Sequence, residues 1–364
     1  MVSLTREHCL DRQASQRAAM AEAGVAALLV GDRRNLMYLF NHFGREIHPA
    51  AALIPVDGPS VLSRRAEDGS PVFADRVEGY ESARLGTLKP EVADLAFAPL
   101  LPLARGRIGV DGPVPAWLLP GVELVDMRPA IAREQRRKRA DEIALIRVAI
   151  GASETAYAAV EKLFVPGVPE IELFAAFQAA AVVAAGEAIG ELGNDYRGGA
   201  PGGLPRREAL KAGELVPLDT GVKLRLYYSD LCRTYAVGGS WDQRQRQAAK
   251  RVAEALRLAE SLIRPGVSCK SVYDEVHAFL DGFNGWRFPH HLGHGFGLRP
   301  IETPRINPHW DDVFEIGDTF TLEPGLYAEE LRAGVRLEND YTLTESGLLR
   351  LSDSTGYLKG VLEG

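Results

Sequence analysis

Cysteine is scarce: Cys9, Cys232 and Cys269 are the only three in 364 residues. Three thiols, odd in number and far apart, exclude a disulfide framework and a zinc knuckle, and fit reduced side chains. An excess of basic charge is also missing, since 42 Lys and Arg stand against 49 Asp and Glu for a net charge of -7. No polyanion-binding surface follows from that balance, and nucleic acid is not an expected partner. The opening MVSLTREHCLDRQ carries charges where a signal peptide needs an apolar core, and no uncharged apolar run of about 18 residues follows it. A cytoplasmic protein with no membrane partner is therefore expected. What the chain does have is 46% hydrophobic and 25% charged residues, at a length that supports two cores.

The first part alternates helical and extended patterns. An Ala-rich helical stretch, RQASQRAAMAEAG, precedes the apolar runs VAALLVG, AAALIPV and SVLSR, which Gly, Pro and Asp turns separate. With the short runs GRIGVDG and VELVDM they predict a small α/β domain over residues 1–128. A second domain is expected over 129–364, with the boundary near Met127 to Ala132. The basic cluster Arg133 to Arg139 reads as a solvated helix start between the two.

Beyond the boundary the chain repeats itself. LFVPGV from Leu163 and LIRPGV from Leu262 share one frame at an offset of 99 residues, each reading as a helix end, a Pro-Gly turn and a helix start. AGELVPLDTG matches IGDTFTLEPG at an offset of 104, aligning Asp219 with Glu323. SDLCRTYAVGG matches LENDYTLTESG, aligning Asp230 with Glu338. The second domain is thus expected to be two related halves, each helix-helix then strand-strand.

Each half sets two carboxylates in apolar, β-prone sequence. One such acid is a turn or a salt bridge; four related by a repeat converge if the halves face each other across a pseudo-twofold axis. Four clustered carboxylates repel too strongly to stay ionised without counter-charge, and divalent cations supply it. The segment HHLGHGFG, residues 290–297, lies between the second half's helices and its acid-bearing strand. His294 added to the four acids makes a five-ligand set of the kind that holds two metals about 3.5–4 Å apart around a shared hydroxide. Gly293, Gly295 and Gly297 are expected to let backbone approach a ligand closely. His290 and His291 either line this pocket or pack around it.

These residues, in this order and context, resemble the pita-bread metallopeptidases, a family that includes methionine aminopeptidase, Xaa-Pro aminopeptidase, prolidase and the metal-free creatinase. The resemblance covers most of the chain. It rests on Asp219, Asp230 eleven residues on, His294 in its glycine context, Glu323 before Pro324-Gly325, and Glu338 in the segment RLE. It implies a creatinase-like N-terminal α/β domain, a C-terminal pita-bread α+β domain with a pseudo-twofold repeat, and a place in the proline-peptide branch. It further implies two divalent ions (Mn, Co, Zn or Fe), with Asp219 on one, Asp230 and Glu338 bridging, and His294 and Glu323 completing the other. A metal-bridged hydroxide would attack the peptide carbonyl, with Glu323 as proton shuttle. Arg336 matches an arginine of proline-specific relatives and either neutralises a substrate carboxylate or forms a structural ion pair. Homodimerisation is implied too, and the apolar segment NLMYLFNHFG offers a surface for it.

Two positions depart from the family pattern. A histidine expected seven residues past His294 is Ile301, and one expected 17 or 18 residues before Asp219 falls at Pro201 or Gly202. His290, His291, Tyr227, Tyr228 or the Arg206-Arg207 pair are the candidates to supply the missing donors, with the two tyrosines and Arg336 facing the substrate. The expected activity is hydrolysis of Xaa-Pro bonds in small peptides, by a dipeptidase or an aminopeptidase. The alternatives are a same-fold hydrolase on a non-peptide or unusual peptide substrate, and a catalytically weak interaction protein.

Overall fold

The computed structural model describes residues 2–44, 47–81, 93–114, 117–190, 193, 195–354 and 357. The chain divides into two compact units, Met1–Gln135 and Arg136–Gly364. The boundary expected after residue 128 falls at the start of the helix Arg128–Arg136, whose buried residues are Ile131 and Gln135.

In the first unit the predicted Ala-rich helix spans Arg6–Ala23, with the Thr5 hydroxyl accepting from the His8 amide at one end and Gly24 in the left-handed region at the other. The five apolar runs form the strands Ala27–Val30, Ala51–Pro55, Val61–Arg65, Ile108–Val110 and Leu124–Asp126. Together with Arg76–Tyr80 they make one six-stranded mixed sheet, in which Ala27–Val30 is central, antiparallel to Ala51–Pro55 and parallel to Ile108–Val110. The segment NLMYLFNHFG does not offer the apolar surface expected of it. Its residues Leu36 to Phe40 belong to the helix Arg33–Phe40 and are buried in this unit.

The second unit carries the repeat. In its first half the helices Ala140–Val160 and Glu170–Ala185 precede the antiparallel strands Leu215–Thr220 and Leu231–Ala236. The second half repeats the order with helices Gln243–Leu262 and Cys269–Leu280, then strands Thr319–Leu322 and Asn339–Thr344. The Pro-Gly turn between the helices is the same in both, with φ of 95° at Gly167 and 85° at Gly266, a region that glycine enters without steric cost. The helix Ala140–Val160, with the turn to Leu163, is long and apolar enough to cross a bilayer by length and composition, but half of that window is buried. Ala149, Ala152, Ala156 and Val160 pack there with Leu173 and Phe177 of the next helix.

An antiparallel sheet in the second half runs Trp310–Asp311, Glu302–Asn307, Gly293–Gly295, Thr319–Leu322, Asn339–Thr344, Gly347–Arg350. The packing of this sheet by itself demands two of the glycines beside His294. A Cβ on Gly293 would strike the Thr321 carbonyl and one on Gly295 the Thr303 carbonyl, while at Gly297 it would crowd Lys138 and Glu302. Bare backbone is needed at the first two because carbonyls of the two flanking strands stand where their Cβ atoms would be.

Candidate metal centre

The strand pairs place the acids. In the first half Thr220 pairs with Leu231, so Asp219 and Asp230 sit at one end of that ladder. In the second half Leu322 pairs with Asn339, and Glu323 and Glu338 flank that pair. The halves meet where the Glu338 amide donates to the Cys232 carbonyl at 3.1 Å. Eleven residues separate the acids of one half and fifteen those of the other, yet both pairs end at the same seam.

His294 enters from the neighbouring strand. Its amide donates to Thr321 Oγ1 at 3.3 Å and its Nδ1 lies 3.1 Å from the Gly295 carbonyl, which leaves Nε2 facing the acids. Nε2 is 3.7 Å from Glu323 Oε1 and 3.8 Å from Asp230 Oδ2. Donor atoms converge in three overlapping groups, His291–His294–Glu323, Asp230–His294–Glu338 and Asp219–Glu323–Glu338, each with all its atoms within 4.8 Å of one another.

This donor set fits divalent cations. Among the described residues Glu338 Oε2 is buried without a hydrogen-bond partner, and burying a carboxylate oxygen unpaired is unfavourable unless a cation meets it. Burial and the neighbouring acids push Glu338 and Asp230 well above the usual carboxylate range. Burial raises Asp219 to about 7 even though Arg336 opposes it. Glu323 goes the other way, to about 2: burial raises it, but the hydrogen bond and charge of His291, with His294 and His290 behind, prevail. Carboxylates held protonated by burial and by one another lose those protons to solvent when a metal binds them.

Arg336 is committed to this cluster. Its Nη2 lies 2.6 Å from Asp195 Oδ2 and 2.7 Å from Asp219 Oδ2, and its Nη1 donates to the Tyr327 hydroxyl at 3.2 Å. Of the two roles expected for it, the ion pair is the one this geometry displays. Beside the acids opens a cavity of about 380 Å³, lined among others by Asp195, Asp219, Asp230, Tyr228, His294 and Ile301.

The remaining candidates fall in different places. Tyr228 reaches the cavity, but Tyr227, next to it on a strand, points the other way and donates to Glu142 Oε1 at 3.1 Å. His290 is turned from the cavity, with Nδ1 2.7 Å from the His291 carbonyl and Nε2 2.9 Å from the Tyr327 hydroxyl. Burial lowers its pKa to about 4. His291 Nε2 lies 2.8 Å from Glu323 Oε1. Arg206 is paired with Glu170 at 2.7 Å and with Glu208 at 2.8 Å, and so is not a spare donor. Ile301 is half exposed at the cavity wall. At Gly202 an added Cβ would meet the Asp195 carboxylate, and the Gly203 amide donates to Asp195 Oδ1 at 2.6 Å.

Sequence reasoning missed Asp195 and Tyr327. Asp195 has no repeat partner and sits in a glycine-rich loop, and its amide and carbonyl both bond to Asp219 at 3.1 Å. Tyr327, two residues past Gly325, gave no signal beyond its proximity to Glu323.

Two helix-helix-strand-strand halves closing over a set of four carboxylates and an imidazole form the pita-bread architecture. Residues 144–345 match the model of metallopeptidase family M24. The chain belongs to that family. It is 34% identical over 162 residues to the Xaa-Pro dipeptidase of Pyrococcus furiosus, covering 44% of this chain and 46% of that one, so the match spans about half the relative's length. With the probable dipeptidase PepE of Mycobacterium tuberculosis it shares 31% identity over 94% of both chains. Among solved structures, the prolidase of Pyrococcus horikoshii superposes with a TM-score of 0.78 at 21% identity, covering 94% of this chain and 98% of that one. The Xaa-Pro dipeptidase of Bacillus anthracis gives 0.79 at 21% identity, over 95% and 98%.

Proposed function

We propose that the protein is a two-metal peptidase that hydrolyses Xaa-Pro bonds in small peptides. The observation that carries this reading is the convergence of Asp219, Asp230, His294, Glu323 and Glu338 around an unpartnered Glu338 oxygen. Two divalent cations bound there would lower the pKa of a water molecule and polarise the scissile carbonyl. Asp219, Asp230, His294, Glu323 and Glu338 would hold the cations, with Asp230 and Glu338 contributed by opposite halves and His294 lying nearest Glu323 and Asp230. Glu323 would carry the proton from the nucleophile to the leaving amine, with His291 Nε2 2.8 Å from its Oε1. Arg336 keeps Asp219 oriented through their 2.7 Å ion pair, and Tyr228 borders the substrate. The names of the relatives, Xaa-Pro dipeptidase and dipeptidase PepE, support a dipeptide substrate. A cytoplasmic homodimer is part of the same reading.

A second reading keeps the cations and changes the substrate. It is favoured by Ile301 at the cavity wall, where a side chain without a hydrogen-bond donor cannot stabilise a developing oxyanion. Metal analysis of the purified protein, followed by digestion of Xaa-Pro dipeptides, longer Xaa-Pro peptides and proline-free controls, tests both. About two ions per chain with cleavage confined to Xaa-Pro bonds is the expected result. Two ions with no peptide cleavage would leave the second reading standing, and the absence of bound metal would overturn both.

A further inference from the structure

The histidine that precedes the expected ligand by three residues is not accounted for by the five-residue set. We propose that His291 is a sixth metal ligand, sharing one cation with His294 and Glu323 and making that half of the centre nitrogen-rich. The inference rests on the two-metal reading above and deepens it.

The backbone around His291 is pinned on both sides. The Leu292 amide donates to the Ile306 carbonyl and the Glu323 amide to the Leu292 carbonyl, each at 2.8 Å. The His291 carbonyl itself lies 2.7 Å from His290 Nδ1. The ring therefore stands on a fixed root beside Glu323, and little freedom remains to be lost on coordination. Its Nε2 is 2.8 Å from Glu323 Oε1, which is in turn 3.7 Å from His294 Nε2. The two imidazoles have centroids 5.4 Å apart and planes 66° apart, so both present ring edges to the same oxygen. Ligand bonds of about 2.0–2.2 Å around one cation put neighbouring donor atoms roughly 3–3.5 Å apart. The three atoms need only small shifts to meet that spacing.

The competing role for His291, a proton donor to the substrate carbonyl, fits the geometry less well. Its Nε2 is directed at a carboxylate oxygen, and the residues lining the 380 Å³ cavity include His294 but not His291. The side chain is 41% exposed, so a cation can reach it from solvent.

The consequence is chemical asymmetry. His291, His294 and Glu323 offer two imidazoles and a carboxylate, whereas Asp219, Glu323 and Glu338 offer oxygen alone. Imidazole-rich sets favour zinc, iron or copper-like ions, and all-oxygen sets suit manganese or magnesium. The centre is thus built to bind its two cations in unequal steps, with a zinc-type preference for the first.

The test is calorimetric titration of the metal-stripped full-length chain with zinc chloride and with manganese chloride, for wild type, His291→Ala and His291→Asn. Wild type should take up zinc in two unequal steps. Both variants should weaken the tighter zinc step by about tenfold or more, a loss typical of perturbed ligand shells, and should alter the visible absorption of the cobalt-loaded form. Manganese uptake should change much less. Zinc steps and a cobalt spectrum unchanged in both variants, with matching melting temperatures, would overturn the proposal, and a lowered kcat in those variants would then assign His291 to the substrate. Failure of wild type to bind either ion would overturn the two-metal reading itself.

Discussion

Replacing Glu338 by Gln isolates the central electrostatic claim, because in the cation-loaded site it removes one negative charge and almost no volume. Glu338 is buried and its Oε2 has no hydrogen-bond partner among the described residues, so an amide there loses no hydrogen bond to them. The stripped variant should stay within about 1 kcal/mol of stripped wild type. With cations present the two should part. At a free metal concentration 100 times the wild-type Kd, one site stabilises the fold by about 2.7 kcal/mol. If the variant binds about 100-fold more weakly, at the upper end for a damaged ligand shell, the same concentration stabilises it by only about 0.4 kcal/mol. The difference, about 2.3 kcal/mol, corresponds to roughly 5–9 °C in Tm for a domain of this size. Thermal melts of both proteins, with chelator and with manganese, measure it directly. An equal metal-induced rise in wild type and Glu338→Gln would refute a role for Glu338 as ligand. A stripped variant several kcal/mol less stable would instead show that Oε2 has a protein partner.

Arg336→Ala should lower metal content as well as activity, since it removes the cation that sits 2.7 Å from Asp219 and 2.6 Å from Asp195. Breaking a buried pair of this kind costs about 3–5 kcal/mol, and a variant with full metal, unchanged stability and only a raised KM would place the guanidinium on the substrate instead. In the N-terminal unit, burial lowers the pKa of His42 from 6.5 to about 4. A histidine kept neutral by the fold contributes stability present above pH 6.5 and lost as pH falls from there to about 4, for a total of roughly 3 kcal/mol. Urea unfolding at pH 7.5 and pH 5, for wild type and His42→Phe, should show the loss in wild type alone; equal losses would assign it elsewhere. Ile301→His, at a half-exposed position on the cavity wall, should raise kcat on the best peptide about tenfold, equivalent to about 1.4 kcal/mol, with Tm unchanged. No gain, or a fall, would mean that the position does not face the reacting carbonyl.

Much of the fold was legible because the repeat wrote it twice. The matching Pro-Gly turns at Gly167 and Gly266 set the helix pairs, and the aligned acids marked the strand ends before any pairing was known. In the first unit, periodicity located five of the six strands, while Arg76–Tyr80 escaped because its exposed, charged residues alternate with little apolar content. The segment around NLMYLF misled for a related reason. A short helix buried on nearly every side has no polar face to reveal it.

The sequence by itself determined which residues are the candidates to hold cations, because carboxylates in apolar strands demand counter-charge wherever the chain takes them, and an internal repeat says that they travel in pairs. It could not decide between neighbours. Whether Tyr227 or Tyr228 meets the cavity depends on which face of a two-residue strand turns inward, and whether His290 or His291 meets Glu323 depends on rotations about a single stretch of backbone. The role of Asp195 was settled only by tertiary structure, because its link to Arg336 spans 141 residues of chain. Side-chain type fixes the chemistry a residue can perform; direction and distance come from packing, and packing joins residues that no local pattern connects.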